Sequence, residues 1–147
     1  MRAVCCRVKK ASVSVEGKQT GCINTGLLVF VAVTQSDTKT DVRWMADKLT
    51  SIRLFNDDQG KLNLSVRDIQ GGLLLIPNFT LAGRTQKGTR PSFSDAAPPE
   101  NAKYLFDNLV ELCTEKTTVA TGVFGQHMHI TSQCDGPVTV IINSPTR

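Results

Sequence analysis

Short apolar runs with two-residue alternation recur along the whole chain, and they predict a protein built mostly from β-strands. Turn residues such as Gly, Asn and Asp separate these runs at intervals typical of hairpins. The run 27–34 is β-rich and apolar throughout, which indicates a buried central strand. The predicted strands are residues 2–8, 12–16, 19–23, 27–34, 53–55, 61–64, 73–76, 117–121, 126–133 and 138–143.

Two segments change to helical spacing. From Asp41 to Ser51 the apolar side chains recur on one face of a helix. A second helix is predicted to start at Pro98-Pro99-Glu100, because proline is tolerated in the first turn. Its predicted buried face consists of Ala102, Leu105, Phe106, Leu109, Leu112 and Cys113. Many strands and two helices predict an α+β fold (α/β in some schemes) built mainly on antiparallel sheet.

Between the strands and the second helix lies the longest irregular stretch, residues 82–98, rich in Gly, Pro, Ser, Thr and Arg. A long loop in a compact domain more often carries function than serves only as a connection. Three cations, Arg84, Lys87 and Arg90, punctuate this loop. Two interpretations stay open: a solvated basic loop, or a phosphate-contacting surface shared with Arg7, Lys9 and Lys10.

The composition of the chain indicates which class of protein to expect. A chain of 147 residues, 40% hydrophobic and 20% charged, predicts a single globular domain over residues 1–147. The formal net charge of +4 is compatible with an RNA partner without requiring one. Five cysteines with no Cys-x-x-Cys pair indicate a reduced, intracellular protein. There is no secretory signal, and the longest apolar run is too short to span a bilayer. We therefore expect a cytoplasmic protein without membrane association.

A Gly136-Pro137 pair interrupts the last strand pattern. Proline cannot donate to a β-ladder, so it marks an edge, a bulge or a break, and the glycine removes a Cβ that would restrict close approach. The dipeptide alone favours an ordinary turn. The second interpretation is a site where backbone, and not a side chain, is presented to another group.

Few side chains suggest chemistry directly. Thr80 follows a buried strand and is the plausible hydroxyl nucleophile, but no histidine, lysine or carboxylate lies beside it in sequence to act as a base. His127 and His129 share a strand face, yet no third ligand supports a zinc site. No cysteine lies in a recognisable nucleophile setting. The sequence therefore predicts no metal and no cofactor.

Several motifs in register across the chain resemble the D-aminoacyl-tRNA deacylase family. They begin with Met1-Arg2-Ala3-Val4 and end with Asp135-Gly136-Pro137-Val138-Thr139. Those between are Ala11-Ser12-Val13-Ser14-Val15, Gly26-Leu27-Leu28-Val29, Gly60-Lys61-Leu62-Asn63-Leu64-Ser65, Leu73 to Leu81, Gly88 to Phe93, Asp95 to Glu100 and Thr121-Gly122-Val123-Phe124-Gly125. Each motif is weak alone, but their shared order over 147 residues is specific.

The resemblance implies an enzyme that hydrolyses the ester between a D-amino acid, or glycine mischarged on tRNA-Ala, and the 3′-terminal adenosine of tRNA. It further implies a curved, roll-like sheet, a homodimer and no cofactor. The residues Pro77, Asn78, Phe79 and Thr80 would line the pocket, with backbone N–H groups around Asn78, Phe79 and Thr80 facing the oxyanion. Gly136-Pro137 would be cis and inserted into the pocket of the other subunit. There its carbonyl oxygens would accept from the substrate ammonium group, and rigid backbone would exclude L side chains.

Three positions depart from the family's common pattern. Pro77 stands where serine is usual, Asn78 where glutamine is usual and Cys134 where asparagine is usual. A related animal deacylase that tolerates L-alanine also carries this proline, and Leu81-Ala82-Gly83-Arg84 resembles its continuation, so relaxed chirality is an alternative. Arg90-Pro91-Ser92-Phe93 and Asp135 favour the D-specific form. Two further alternatives are a non-catalytic RNA-binding module and a structural dimer in which Gly136-Pro137 is a turn.

Overall fold

The computed structural model describes residues 1–145, which contain eight strands, two α-helices and one short 3-10 turn. The helices are α1 (Lys39–Ser51) and α2 (Pro99–Thr114), and the 3-10 turn is Phe79–Ala82. The strands are β1 (Arg2–Val15), β2 (Lys18–Ile23), β3 (Gly26–Ala32), β4 (Arg53–Asn56), β5 (Leu62–Ser65), β6 (Gly72–Pro77), β7 (Thr118–Thr121) and β8 (His129–Asn143). The predicted α+β class is confirmed.

Strand β1 is the spine of the main sheet. Its whole length pairs antiparallel with β8 on one edge, while β3 and β2 share the other edge, also antiparallel. From β3 the sheet continues through β6 to β7 in parallel pairs. A separate antiparallel pair joins β4 and β5. The sheet is therefore mainly antiparallel, as predicted, with a parallel portion that the pattern of apolar residues did not indicate.

Two predicted strand boundaries were wrong. Residues 2–8 and 12–16 belong to one strand, β1, because both halves find a partner in β8. The predicted strands 126–133 and 138–143 are likewise replaced by one strand, β8, which starts only at His129 and passes through Gly136 and Pro137. The Gly-Pro pair therefore sits in a bulge within a strand and not in a turn between strands.

Close backbone contacts bend the sheet until its two ends nearly meet. A Cβ built on Gly21 of β2 would lie 2.6 Å from the carbonyl oxygen of Thr121 in β7, although these strands are at opposite ends of the hydrogen-bonded order. Only glycine permits such an approach. The result is the curved, roll-like sheet that the resemblance implied.

Each face of the sheet carries an apolar cluster. One face packs against α1 and α2, and its buried members include Ala3, Cys5, Leu27, Val29, Val31, Leu73, Leu75, Met45, Leu49, Leu105, Phe106 and Leu109. The alternate residues form a smaller cluster on the other face: Val8, Ala11, Val13, Ile23, Leu28, Leu74 and Ile76. This division follows from the two-residue period of strands, which sends neighbouring side chains to opposite faces.

Local signals explain where the helices begin. Thr38 caps α1 and forms a reciprocal capping box with Asp41, so the helix starts two residues before the predicted Asp41. Pro98 precedes α2 and Pro99 occupies its first turn, as expected. On α2 the predicted buried face is confirmed except for Leu112, which is half-buried. Neither helix in the described part of the chain is long and apolar enough to cross a membrane.

The pairing of β3 with β6 requires a glycine at position 26. A Cβ on Gly26 would lie 1.9 Å from the carbonyl oxygen of Gly72, a backbone atom that cannot move without breaking the parallel ladder. We expect Gly26→Ala to lower the free energy of unfolding by more than about 3 kcal/mol, or to prevent folding. Chemical denaturation monitored by circular dichroism measures this difference.

Gly60→Ala is the matched control, because Gly60 has a positive φ of 76° but open space around its Cβ position. Its cost is limited to backbone strain of about 1–2 kcal/mol. If Gly26→Ala were no more damaging than Gly60→Ala, the close β3–β6 approach described above would be wrong.

Candidate active site

The candidate site begins where β6 ends. Pro77 pairs with Val31 of β3 at the last position of the parallel ladder, and the N–H of Asn78 donates to the carbonyl oxygen of Val31 at 2.8 Å. Successive N–H groups of a strand point to opposite edges, so the missing N–H of Pro77 falls on the β7 side. There β7 ends at Thr121, opposite Leu75. Pro77 therefore costs the sheet no hydrogen bond.

Asn78 organises the turn that follows. Its side-chain Oδ1 accepts from the Thr80 hydroxyl at 2.6 Å and from the Thr80 N–H at 3.3 Å, which caps the 3-10 turn. The Thr80 hydroxyl thus donates to an amide oxygen. Within residues 1–145 it makes no hydrogen bond to a group that could act as a base. The N–H of Phe79 donates to no residue within 1–145, and it lies between two N–H groups that are both engaged.

Phe79 stands at the rim of the site with 58% of its surface exposed. Its ring packs edge to face against Phe93, with centroids 5.2 Å apart. Phe93 belongs to the long loop, which a two-way backbone bridge between Arg84 and Ser92 closes, and Arg84 Nε donates to Asp95 at 2.6 Å. The aromatic contact therefore fixes the basic loop beside the turn that carries Thr80.

A cavity of about 450 Å³ opens next to this turn. Its base is apolar, formed by side chains such as Phe30, Ile76 and Phe106, and its polar groups come from the two rims. One rim is the segment from Pro77 to Thr80, and the other is the segment from Phe124 to Met128. An apolar cavity with a few convergent polar groups is the usual form of a small-ligand site.

Gly136 and Pro137 lie in a bulge of β8, and the peptide bond between them is cis, as the resemblance implied. Cys6 pairs with Thr139 and Val8 pairs with Cys134, so residues 135–138 face the single residue Arg7. Gly136 and Pro137 are exposed, and neither lines the 450 Å³ cavity of their own chain. Among the predicted site residues, the structure therefore joins Pro77, Asn78, Phe79 and Thr80 and leaves the Gly-Pro pair apart.

Arg7 fixes the base of this bulge. Its Nε donates to the carbonyl oxygen of Asp135 at 3.0 Å, and its Nη1 donates to the carbonyl oxygen of Leu54 at 2.9 Å and to Asn56 Oδ1 at 3.2 Å. The residue is 9% exposed. Assigning Arg7 to a phosphate-contacting surface was therefore wrong, because its guanidinium group is buried among protein oxygens.

The remaining candidate groups are two histidines and two buried cysteines. Each of them either takes no part in this turn or is unreactive. His127 lines the cavity, but its ring packs against His129, with centroids 5.0 Å apart, and both residues are exposed. Burial raises the pKa of Cys5 and of Cys113 to about 12, so neither is a thiolate near neutral pH. Within the described residues, no group of three or more His, Cys, Asp or Glu is arranged to hold a metal ion.

Comparison with known proteins shows which family has this architecture. The family model described as D-Tyr-tRNA(Tyr) deacylase matches residues 4–143. The chain belongs to this family. It is 50% identical to the D-aminoacyl-tRNA deacylase of Thermotoga petrophila over 145 residues, covering 98% of this chain and 97% of the relative. It is 45% identical to the enzyme of the same name from Geobacter sulfurreducens over 148 residues, covering 100% and 97%.

Solved structures agree with this D-Tyr-tRNA(Tyr) deacylase family assignment at the level of the fold. The c-Myc DNA unwinding element binding protein superposes with a TM-score of 0.94 at 35% identity, covering 99% of this chain and 100% of that one. A probable eukaryotic D-amino acid tRNA deacylase superposes with a TM-score of 0.86 at 15% identity, covering 96% and 97%. The second similarity concerns the fold alone.

Sequence reasoning missed two features around the candidate site. The rim from Phe124 to Met128 was not predicted, because residues 126–128 were interpreted as the start of a strand, although the motif ending at Gly125 was a signal for it. The contacts of Arg7 with Asp135 and Leu54 join residues 128 and 47 positions apart, and nothing in the local sequence indicates them.

Proposed function

We propose that this chain hydrolyses the ester bond between a D-amino acid and the 3′-terminal adenosine of tRNA, and so releases both. The observation that carries the proposal is the unengaged N–H of Phe79 at the rim of a 450 Å³ cavity, in a chain that belongs to the D-Tyr-tRNA(Tyr) deacylase family. Relatives from Thermotoga petrophila and Geobacter sulfurreducens are named D-aminoacyl-tRNA deacylases, which supports this substrate class.

Catalysis in this proposal rests on backbone groups. The N–H of Phe79, which has no partner within residues 1–145, donates to the oxyanion of the tetrahedral intermediate. The N–H of Thr80 can also donate to it, because its present hydrogen bond to Asn78 Oδ1 is long, at 3.3 Å. The N–H of Asn78 is already committed to Val31 and contributes by fixing the turn. One such donor contributes about 2.7–4 kcal/mol to transition-state stabilisation. An aminoacyl ester is intrinsically reactive, so positioning by the cavity supplies much of the remaining rate.

Thr80 acts as a positioning residue in this mechanism. Its hydroxyl donates to Asn78 Oδ1 and has no His, Lys or carboxylate among its recorded partners. A nucleophilic hydroxyl needs such a base, as in serine hydrolases. The attacking group is then water, and the adenosine 2′-hydroxyl of the substrate assists proton transfer.

Handedness is selected by a second copy of the chain. Gly136 and Pro137 are exposed on β8 and lie outside their own cavity, so they are free to enter the cavity of a partner in a homodimer. Ile141 on the same strand is 68% exposed, which gives such an interface an apolar contact. Backbone presented in this way rejects L side chains by exclusion and accepts glycine, including glycine mischarged on tRNA-Ala.

The long loop supplies the contact with tRNA phosphates. The Arg84 side chain forms an ion pair with Asp95. Lys87 and Arg90 are exposed at the tip of the loop and form no ion pair within residues 1–145. The packing of Phe93 on Phe79 holds these cations near the cavity, where the acceptor strand would approach. A cytoplasmic location, where aminoacyl-tRNA is made and used, completes the proposal.

Two alternatives remain testable. Pro77 supports a deacylase with relaxed chirality that also acts on L-alanyl-tRNA. The basic loop, together with the similarity to the c-Myc DNA unwinding element binding protein, supports a nucleic-acid-binding protein without hydrolysis. Both predict results different from those of a chirality-selective enzyme.

Deacylation of matched D-Tyr-tRNA, L-Tyr-tRNA, Gly-tRNA and L-Ala-tRNA by the purified protein decides among them. We expect rapid loss of the D-tyrosyl and glycyl esters and sparing of both L esters, because partner backbone occupies the space an L side chain needs. Cleavage of L-Ala-tRNA at a comparable rate would establish relaxed chirality. Binding of tRNA with no hydrolysis of any ester would overturn the proposal.

Replacing Thr80 separates positioning from covalent catalysis. We expect Thr80→Val, which keeps the side-chain shape but loses the hydroxyl, to lower kcat/KM for D-Tyr-tRNA about tenfold, the cost of one hydrogen bond. Thr80→Ser keeps the donor to Asn78 and should stay near the native rate. Single-turnover kinetics with acid quenching would show no aminoacyl-enzyme. Loss of activity beyond about 10³-fold in Thr80→Val, with a trapped ester in the native protein, would identify a nucleophile instead.

A further inference from the structure

Two cysteines meet at the bulge that carries Gly136 and Pro137. Cys6 on β1 and Cys134 on β8 place their Sγ atoms 3.3 Å apart. The hydroxyl of Thr139 donates to Cys6 Sγ at 3.6 Å, and the hydroxyl of Ser132 lies 3.7 Å from Cys134 Sγ. Neither thiol is therefore separated from the other by a packed side chain.

The position of this pair links it to the site. Cys134 is followed directly by Asp135 and Gly136, and Cys6 is followed directly by Arg7. Arg7 is the residue that holds Asp135 at the base of the bulge, through its carbonyl oxygen at 3.0 Å and its carboxylate at 3.2 Å. A bond between the two sulfurs would thus span the same strands just before the Gly-Pro backbone leaves the regular ladder.

The remaining cysteines do not offer a comparable reaction. Cys5 and Cys113 are buried in the core, and Cys22 is exposed but has no recorded sulfur neighbour within residues 1–145. Cys134 is exposed and Cys6 is half-buried. Exposure decides which thiol a dissolved reagent meets first, so Cys134 is the entry point and Cys6 is the thiol held next to it.

We propose that Cys6 and Cys134 form a redox site, a dithiol that low-molecular-weight disulfides convert to an intramolecular disulfide. Sulfur atoms 3.3 Å apart need an approach of little more than 1 Å to reach the bond length of about 2.0 Å. Adjacent strands can supply such a shift where a bulge already interrupts their ladder.

The reaction proceeds by two exchanges. The Cys134 thiolate attacks one sulfur of the small disulfide, forms a mixed disulfide and releases one small thiolate. Burial raises the pKa of Cys6, so the Cys6 thiol gives up its proton as its sulfur attacks Cys134 Sγ. The Cys6–Cys134 bond forms, the mixed disulfide breaks, and the second small thiolate leaves and takes up that proton. The two protein thiols lose two electrons and two protons, and the small disulfide gains both to become two thiols.

The consequence for activity rests on the proposed function. The new bond draws the segment before Gly136 toward β1 and changes where Gly136 and Pro137 are presented to a partner's cavity. We therefore expect the oxidised protein to deacylate D-Tyr-tRNA several-fold more slowly, and a dithiol reductant to restore the rate.

The first test follows the sulfur chemistry alone. The full-length protein is incubated with oxidised glutathione, its free thiols are counted and its peptides are mapped by mass spectrometry without reduction. We expect the loss of two thiols per chain, a Cys6–Cys134 crosslinked peptide and no retained glutathione. Cys22→Ser is the matched control and should give the same crosslink, whereas Cys6→Ser should accumulate glutathione on Cys134.

Stable glutathionylation of Cys134 in the native protein, crosslinks between chains, or no reaction at Cys134 would each overturn the site. The second test compares deacylation by native and Cys134→Ser proteins before oxidation, after it, and after reduction with dithiothreitol. A reversible loss in the native protein alone supports control of activity, and a mapped disulfide without any change in rate overturns it. A reduced protein that hydrolyses no D-Tyr-tRNA contradicts the proposed function, while the crosslink result stands independently.

Discussion

The parallel pairing of β3 with β6 is the constraint on which the site depends. It starts where Gly26 and Gly72 meet too closely for any side chain, and it ends with the 2.8 Å hydrogen bond from Asn78 N–H to Val31. That last bond fixes the direction in which the chain leaves the sheet. The next residue, Phe79, is therefore held at the rim of the cavity, and its N–H donates to no group within residues 1–145.

Strand β1 connects this turn with the Gly-Pro bulge. One edge of β1 pairs with β3, which sets the position of β6, and the other edge pairs with β8, which carries Gly136 and Pro137. Arg7 lies on β1 and holds Asp135 from within the protein. In the proposed homodimer, β1 thus sets the distance between the cavity of one chain and the backbone that the same chain would offer to a second copy. Such pre-organisation suits an enzyme that selects by exclusion.

Sequence patterns predicted most elements of the fold but not how they pair. Alternation found nearly every strand, and helical spacing, with a proline signal for α2, found both helices. The continuity of β1 and β8 escaped prediction, because Lys9-Lys10 and Gly136-Pro137 look like interruptions until a long partner strand is known. The parallel β3–β6–β7 portion depends on contacts distant in sequence, which periodicity does not encode.

The candidate site was predictable in its residues and not in its geometry. Family motifs indicated Pro77 to Thr80 and Gly136-Pro137, but only the fold shows that the N–H of Asn78 is used and that of Phe79 is free. The interpretation that included Arg7 in a phosphate-contacting surface was wrong, because a basic residue near the N-terminus gives no local sign of burial. The Cys6–Cys134 contact likewise requires the bulge register, since the two residues are 128 positions apart.

In the proposed mechanism, the backbone N–H groups of Phe79 and Thr80 stabilise the oxyanion and so carry the catalysis. A crystal structure with a non-hydrolysable D-tyrosyl-adenosine analogue, amide-linked at the 3′ position, tests it most directly. We expect the analogue's carbonyl oxygen within about 3 Å of the Phe79 nitrogen, with no side-chain nucleophile in line with the carbonyl carbon. An analogue bound outside the 450 Å³ cavity, or with Thr80 Oγ1 aligned on that carbon, would contradict it.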